Sequence, residues 1–208
     1  MSEALPTLLS VIVGFALGAG WDWWRYHQRE AKKLAGVRSL VRREADANLK
    51  ALDEFWKRVA AMPPPIASPD PGEFQAELDF IKRQRLAQLP YAPRERLMWE
   101  SQAGYLADAF SEDALNRAST LNGSLDAFVA TRQVILDALD ENRDIVRDFA
   151  KWRDDKARLA GNGTPQSIQF AVPNLLERLN AFNSHTQVQW SDCERLYTEM
   201  KSQGNPLK

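Results

Sequence analysis

The opening of the chain constrains it most. From Ala4 to Trp21 the sequence reads "ALPTLLSVIVGFALGAGW", with no ionisable side chain. As a helix these 18 residues rise roughly 27 Å, close to the ~30 Å hydrocarbon core of a bilayer. Trp21, Trp23, Trp24 and Tyr26 then follow in the manner of an interfacial aromatic belt. The flanking charge is lopsided. Only Glu3 precedes the run, whereas Arg25, Arg29, Lys32, Lys33, Arg38, Arg42 and Arg43 follow it. Positive residues resist translocation, so the N-terminus is expected outside and the rest of the chain in the cytoplasm. The sequence thus predicts a transmembrane anchor over residues 1–24 and a cytoplasmic helical domain over 25–208. The expected address is a bacterial inner membrane, crossed once.

Two other readings of the run compete. A cleaved export signal needs a basic start, whereas this one is acidic, and the basic cluster behind it opposes export. The run also sits near the lower length limit for a span, which leaves room for a helix buried in a water-soluble core. Ser10, Gly14 and Gly18 are spaced four apart and share one helix face. Small residues there let two backbones approach, so this face is expected to drive self-association in lipid.

No proline separates Pro6 from Pro63, and Leu34, Val37, Val41, Ala45, Leu49, Leu52, Phe55 and Val59 recur at helical spacing. The anchor is therefore expected to run on as a long amphipathic helix to about Ala61, with a bend near Gly36. "MPPPIASPDPG", residues 62–72, cannot be helical and reads as a stiff loop. A helix with Phe74, Leu78, Ile81 and Leu89 on one face follows, then one carrying Leu97, Trp99, Tyr105, Leu106 and Phe110. Ser111 reads as an N-cap, with Glu112 and Asp113 suited to the helix dipole. The apolar stripe behind it runs from Leu115 to Trp152 and predicts the longest helix of the chain, broken if anywhere at Gly123. "GNGTP" at 161–165 ends it, and a last helical region reaches Lys201 with a kink or restart at Pro173. Strand signals are nearly absent. The expected class is all-α: an N-terminal transmembrane helix continuing into an antiparallel bundle of four to six helices.

Little in the sequence points to catalysis. One cysteine, Cys193, and two distant histidines, His27 and His185, do not make a zinc site, and no metal or cofactor is expected. The chain has no phosphate loop and no Gly-x-Ser-x-Gly elbow. A net charge of -1 gives no reason to expect nucleic acid.

Arg178 and His185 stand seven apart in "RLNAFNSH" and can share a helix face. The pair resembles the loose Arg-x4–6-His pattern of HEPN-type ribonucleases. That resemblance implies an arginine on phosphate and a histidine moving protons. "RREADANLKALDEFW", with Glu44 and Asn48 one turn apart, and "WESQAGYLADAFSEDALNRASTLNGSLDAF" carry a second resemblance. They are similar to a class of uncharacterised bacterial single-pass proteins with a membrane helix and a cytoplasmic helical domain, over about two thirds of this chain. In architecture alone, the chain is also similar to the membrane accessory protein of RNA-targeting CRISPR systems, a pore-forming assembly.

Three functions follow as expectations. The first is a non-enzymatic anchored protein that binds the bilayer, itself and an unidentified protein partner. The second is a homo-oligomeric membrane pore or effector, as in anti-phage defence. The third is a ribonuclease using Arg178 and His185.

Overall fold

A computed structural model describes residues 4–61, 71–91, 97–161 and 174–207, with side chains at 14–61, 71–91, 97–158 and 174–207. Its first element, α1, is one unbroken helix from Ala4 to Ala60. No proline follows Pro6 within it, which permits this length, and Gly36 does not interrupt it. The described part of the expected 62–72 loop is its end, where Pro71 and Gly72 open α2 (Pro71–Gln88). Proline suits a first helical turn, where its missing N–H is not needed. Two short helices follow, α3 (Leu97–Ser101) and α4 (Ala103–Ala109). Then come α5 (Glu112–Glu141), α6 (Arg143–Gly161), α7 (Leu175–His185) and α8 (Gln187–Gln203). The described residues are all-α and hold eight helices, more than the four to six expected.

The extra helices arise where polar side chains engage the backbone. The stripe behind Ser111 breaks at Asn142, not at Gly123. Asn142 donates from its backbone N–H to the Ala138 and Leu139 carbonyls, and from Nδ2 to Ala138 O at 2.8 Å. A short polar side chain that satisfies the preceding turn competes with helix propagation. The longest helix is α1, of 57 residues, and not the 30-residue α5. At the junction of α7 and α8, buried Thr186 donates to Phe182 O and accepts from Arg83 Nε, both at 2.9 Å. Ser111 does cap α5: its backbone is extended and its side chain accepts from Ala114 N at 3.3 Å.

The main core collects Leu52, Phe55 and Val59 of α1 with Phe80, Phe128, Trp152, Leu179 and Met200. Aromatic rings interlock across it. Phe80 meets Phe149 and Phe182 edge-on at 4.8 and 5.3 Å, and Trp56 stacks on Tyr197 at 4.8 Å. Such pairs add about 0.5–1.5 kcal/mol beyond their buried area.

Five buried or half-buried charges hold the helices in register. Arg132 of α5 donates to the carbonyls of Leu86, Ala87 and Leu89 at 2.6–2.7 Å, closing the C-terminal end of α2. A cation at that end also opposes the helix dipole. Arg83, 1% exposed, bonds Thr186, the Asp79 and Asn183 carbonyls and Gln187. Glu77 is buried between Arg153 and Lys156 of α6, at 3.4 and 3.7 Å. Burial pushes its carboxyl above the ordinary carboxylate range, opposed by those two cations.

Candidate interaction surface

Where α1 leaves the bundle it passes through a second, smaller apolar cluster. Val37 and Val41 of α1 are buried there against Leu106, Ala109, Ala118 and Leu207. Polar contacts tighten this collar. The Arg38 guanidinium donates to Ala109 O, and that of Arg42 to Leu207 O. Asn205 donates from Nδ2 to Arg42 O at 3.0 Å and accepts from Leu207 N at 2.9 Å through Oδ1. Gly204 turns the chain back with φ +61°, a conformation that favours glycine. Lys33 makes the outermost contact. Its Nζ donates to Tyr105 Oη at 2.6 Å and lies 3.9 Å from that ring's centre. This bond raises the Lys33 pKa above its ordinary value. Glu44 adds a brace, accepting from Trp99 N at 2.8 Å and Met98 N at 3.3 Å at the start of α3.

Before this collar the described side chains of α1 from Gly14 to Arg29 lie on the surface. Every described residue from Gly14 to Arg29 is exposed. Phe15 is 79%, Leu17 70%, Trp23 65%, Tyr26 62%, Trp21 52% and Trp24 47% exposed. At about 100° of turn per residue, Leu17, Trp21 and Trp24 fall on one side, and Phe15, Trp23 and Tyr26 on the other. The rings organise among themselves. Trp21 stacks on Trp24 at 4.9 Å, with the Arg25 guanidinium 5.2 Å from the Trp21 ring centre. His27 meets Trp23 edge-on at 4.1 Å and Tyr26 at 5.7 Å. Arg29 and Lys32 continue the exposed cationic stretch. Gly14 and Gly18 have nothing within 4 Å of the space a side chain would fill. The side chain of Ser10 lies outside the described residues.

The membrane reading is corrected here. Among the described residues no helix is long and apolar enough to cross a membrane. Asp22 ends the uncharged run within the exposed arm. Arg25, Arg29, Lys32 and Lys33 then follow at close intervals. The expected single-pass inner-membrane address, N-terminus outside and bundle in the cytoplasm, is overturned on that finding, and the transmembrane part of the expected fold is unsupported. Trp21, Trp23, Trp24, Tyr26 and the neighbouring cations remain together as a surface.

The arginine–histidine pair is placed differently. Arg178 of α7 reaches α6, where it bonds Asp148 at 2.9 Å and Asp144. Asp148 raises its pKa, and Arg178 in turn lowers that of Asp148. His185 is exposed at the far end of α7. A guanidinium held by two carboxylates is poorly placed to receive a phosphate. Among the described residues no group of three or more His, Cys, Asp or Glu is arranged to hold a metal.

Sequence reasoning missed the collar's tail and the buried charges. Leu207, the one large apolar residue after Gly204, was the available signal for the tail. Nothing in the local pattern marked Arg83 or Arg132 as inward-facing. No protein-family model, curated protein or solved structure matches this chain.

Proposed function

We propose that this protein is a self-associating helical module, working through contacts between copies made by the α1 arm and not through catalysis. One observation carries the reading: six large apolar side chains between Phe15 and Tyr26 are about half to four-fifths exposed, on a stretch of α1 whose described residues from Gly14 to Arg29 are all exposed. A helix apolar on all sides belongs inside an assembly. Contiguous exposed apolar surface of this kind marks interaction sites. Isolated helical segments are also marginal in water, so this one gains from being packed.

The occupant is a second copy, because the open Gly14 and Gly18 positions admit another helix backbone closely. Each arm carries both Asp22 and the cations Arg25 and Arg29, so crossing arms can pair opposite charges. A pore requires a crossing segment, and the described residues provide none, so that alternative has no support.

Cross-linking of full-length protein tests this. Cys193 is buried, and burial pushes its thiol up to about 12, so it stays unreactive at neutral pH. A cysteine introduced as Gly18→Cys is then the sole reactive thiol. Rapid disulfide dimers, lost on adding Trp21→Ser and Trp24→Ser, are expected. A monomer at every concentration by sedimentation velocity, with no cross-link, overturns the reading.

A further inference from the structure

The sides of the α1 arm differ in chemistry. At about 100° of turn per residue, Leu17, Trp21 and Trp24 fall within about 60° of one another. Leu17 is 70% exposed, and the two indoles, about half exposed, stack on each other at 4.9 Å. Arg25 and Lys32, both exposed, flank this face within about 80° of its centre. The Arg25 guanidinium lies 5.2 Å from the Trp21 ring centre. The carboxylates of this stretch, Asp22 and Glu30, project more than about 120° away from it. Val37 and Val41, which turn into the collar, project to that far side as well. The bundle thus packs on the side of α1 opposite Leu17, Trp21 and Trp24.

Such a face fits the boundary between hydrocarbon and anionic headgroups. Tryptophan settles there because its ring is apolar and its N–H polar. Arginine and lysine beside it lay their stems along the apolar layer and leave their charges among phosphates. Helices with one apolar face and cations beside it lie in the plane of an interface, sunk by about 5–10 Å, and do not cross it. Nucleic acid would answer the cations but leave Leu17 in water. With the carboxylates and the bundle turned away, neither repulsion nor bulk opposes the approach.

We propose that the Leu17, Trp21 and Trp24 face docks on an anionic lipid surface, with Arg25 and Lys32 on headgroup phosphates and the arm lying along the surface. The contact between copies proposed above uses the same rings. Lipid and a second copy therefore exclude each other at this face, and in that respect the exchange rests on the self-association reading.

Flotation of the full-length protein with vesicles tests this. Vesicles of phosphatidylcholine mixed with phosphatidylglycerol should carry the protein upward, and vesicles of phosphatidylcholine alone about tenfold less. Arg25→Gln combined with Lys32→Gln should lower flotation on the mixed vesicles about tenfold or more. Both side chains are exposed, so folding is spared. In Gly18→Cys protein the mixed vesicles should reduce the yield of disulfide dimer. No flotation on mixed vesicles, equal flotation on both kinds, or undiminished flotation of the doubly substituted variant overturns the docking. A dimer yield that does not fall while the protein floats overturns the exclusion. Protein that floats but never cross-links in buffer overturns the self-association reading and upholds the docking; protein that cross-links but never floats does the reverse.

Discussion

One helix, α1, lives in two environments. From Val37 to Val59 its apolar stripe is buried or half-buried, with Phe55 at 0% and Leu52 at 1% exposure, and Leu40 stands outside it. From Gly14 to Arg29 the same helix is exposed throughout, though its apolar side chains are larger. The backbone does not register the change. Helical continuity follows from local chemistry, here the lack of proline after Pro6, whereas burial depends on periodicity. The bundle half repeats its apolar residues at three and four, which makes one stripe that a core can cover. The arm distributes Leu17, Trp21, Trp23 and Tyr26 around the axis, and no single neighbour can cover them. The difference teaches that amount of apolar surface does not decide what is buried. Its arrangement does.

Substitutions that contrast the two halves break or sharpen this comparison. Phe55→Ala should destabilise by about 3–5 kcal/mol, read by urea unfolding, because it opens a cavity among Tyr91 and Phe128. Arg132→Met should cost about 2–4 kcal/mol, since it leaves the Leu86, Ala87 and Leu89 carbonyls without a donor. A cost under ~0.5 kcal/mol would show that water replaces the guanidinium without loss.

Asp53 sits on the buried half's edge. Lys57, Tyr197 and Lys201 bond its carboxylate and lower its pKa. A lowered folded pKa contributes stability above the unfolded value, near 3.9, which disappears as pH falls below it. Asp53→Asn should therefore flatten the acid limb of a stability–pH curve, by on the order of 1 kcal/mol. An unchanged limb would assign acid unfolding to other carboxylates. The smallest effect belongs to the arm: Phe15→Ala should shift unfolding of the dilute monomer by within about 0.5 kcal/mol. A loss comparable to that of Phe55→Ala would mean the arm packs on its own bundle.

The half that the sequence makes legible is the half with a period. Leu34 to Val59 and Leu115 to Trp152 were read correctly as inward stripes, and all are buried or half-buried. Ser111 was legible because capping is local. The breaks at Asn142 and Thr186 were not, since each depends on a side chain choosing its own backbone or a distant arginine. Lys156 and Glu77 were also illegible, because glutamate and lysine on helices ordinarily face water and only a matched opposite charge pulls them in. At the candidate surface the sequence groups the aromatic and basic residues, but as the edge of a membrane span. Their surroundings were not legible, because an apolar run suits lipid, a core or another helix equally.

The collar has a mechanical meaning. The helix beyond Lys33 extends about 45 Å to Ala4, while the collar grips α1 over roughly 12 Å between Val37 and Ala45. A stiff rod so held is a lever. A shift of about 1 Å at Leu207 or Leu106 swings the distal end by several times as much. Tail and tip are thereby geared together, and small repacking beneath Arg42 steers where Trp21 and Trp24 point.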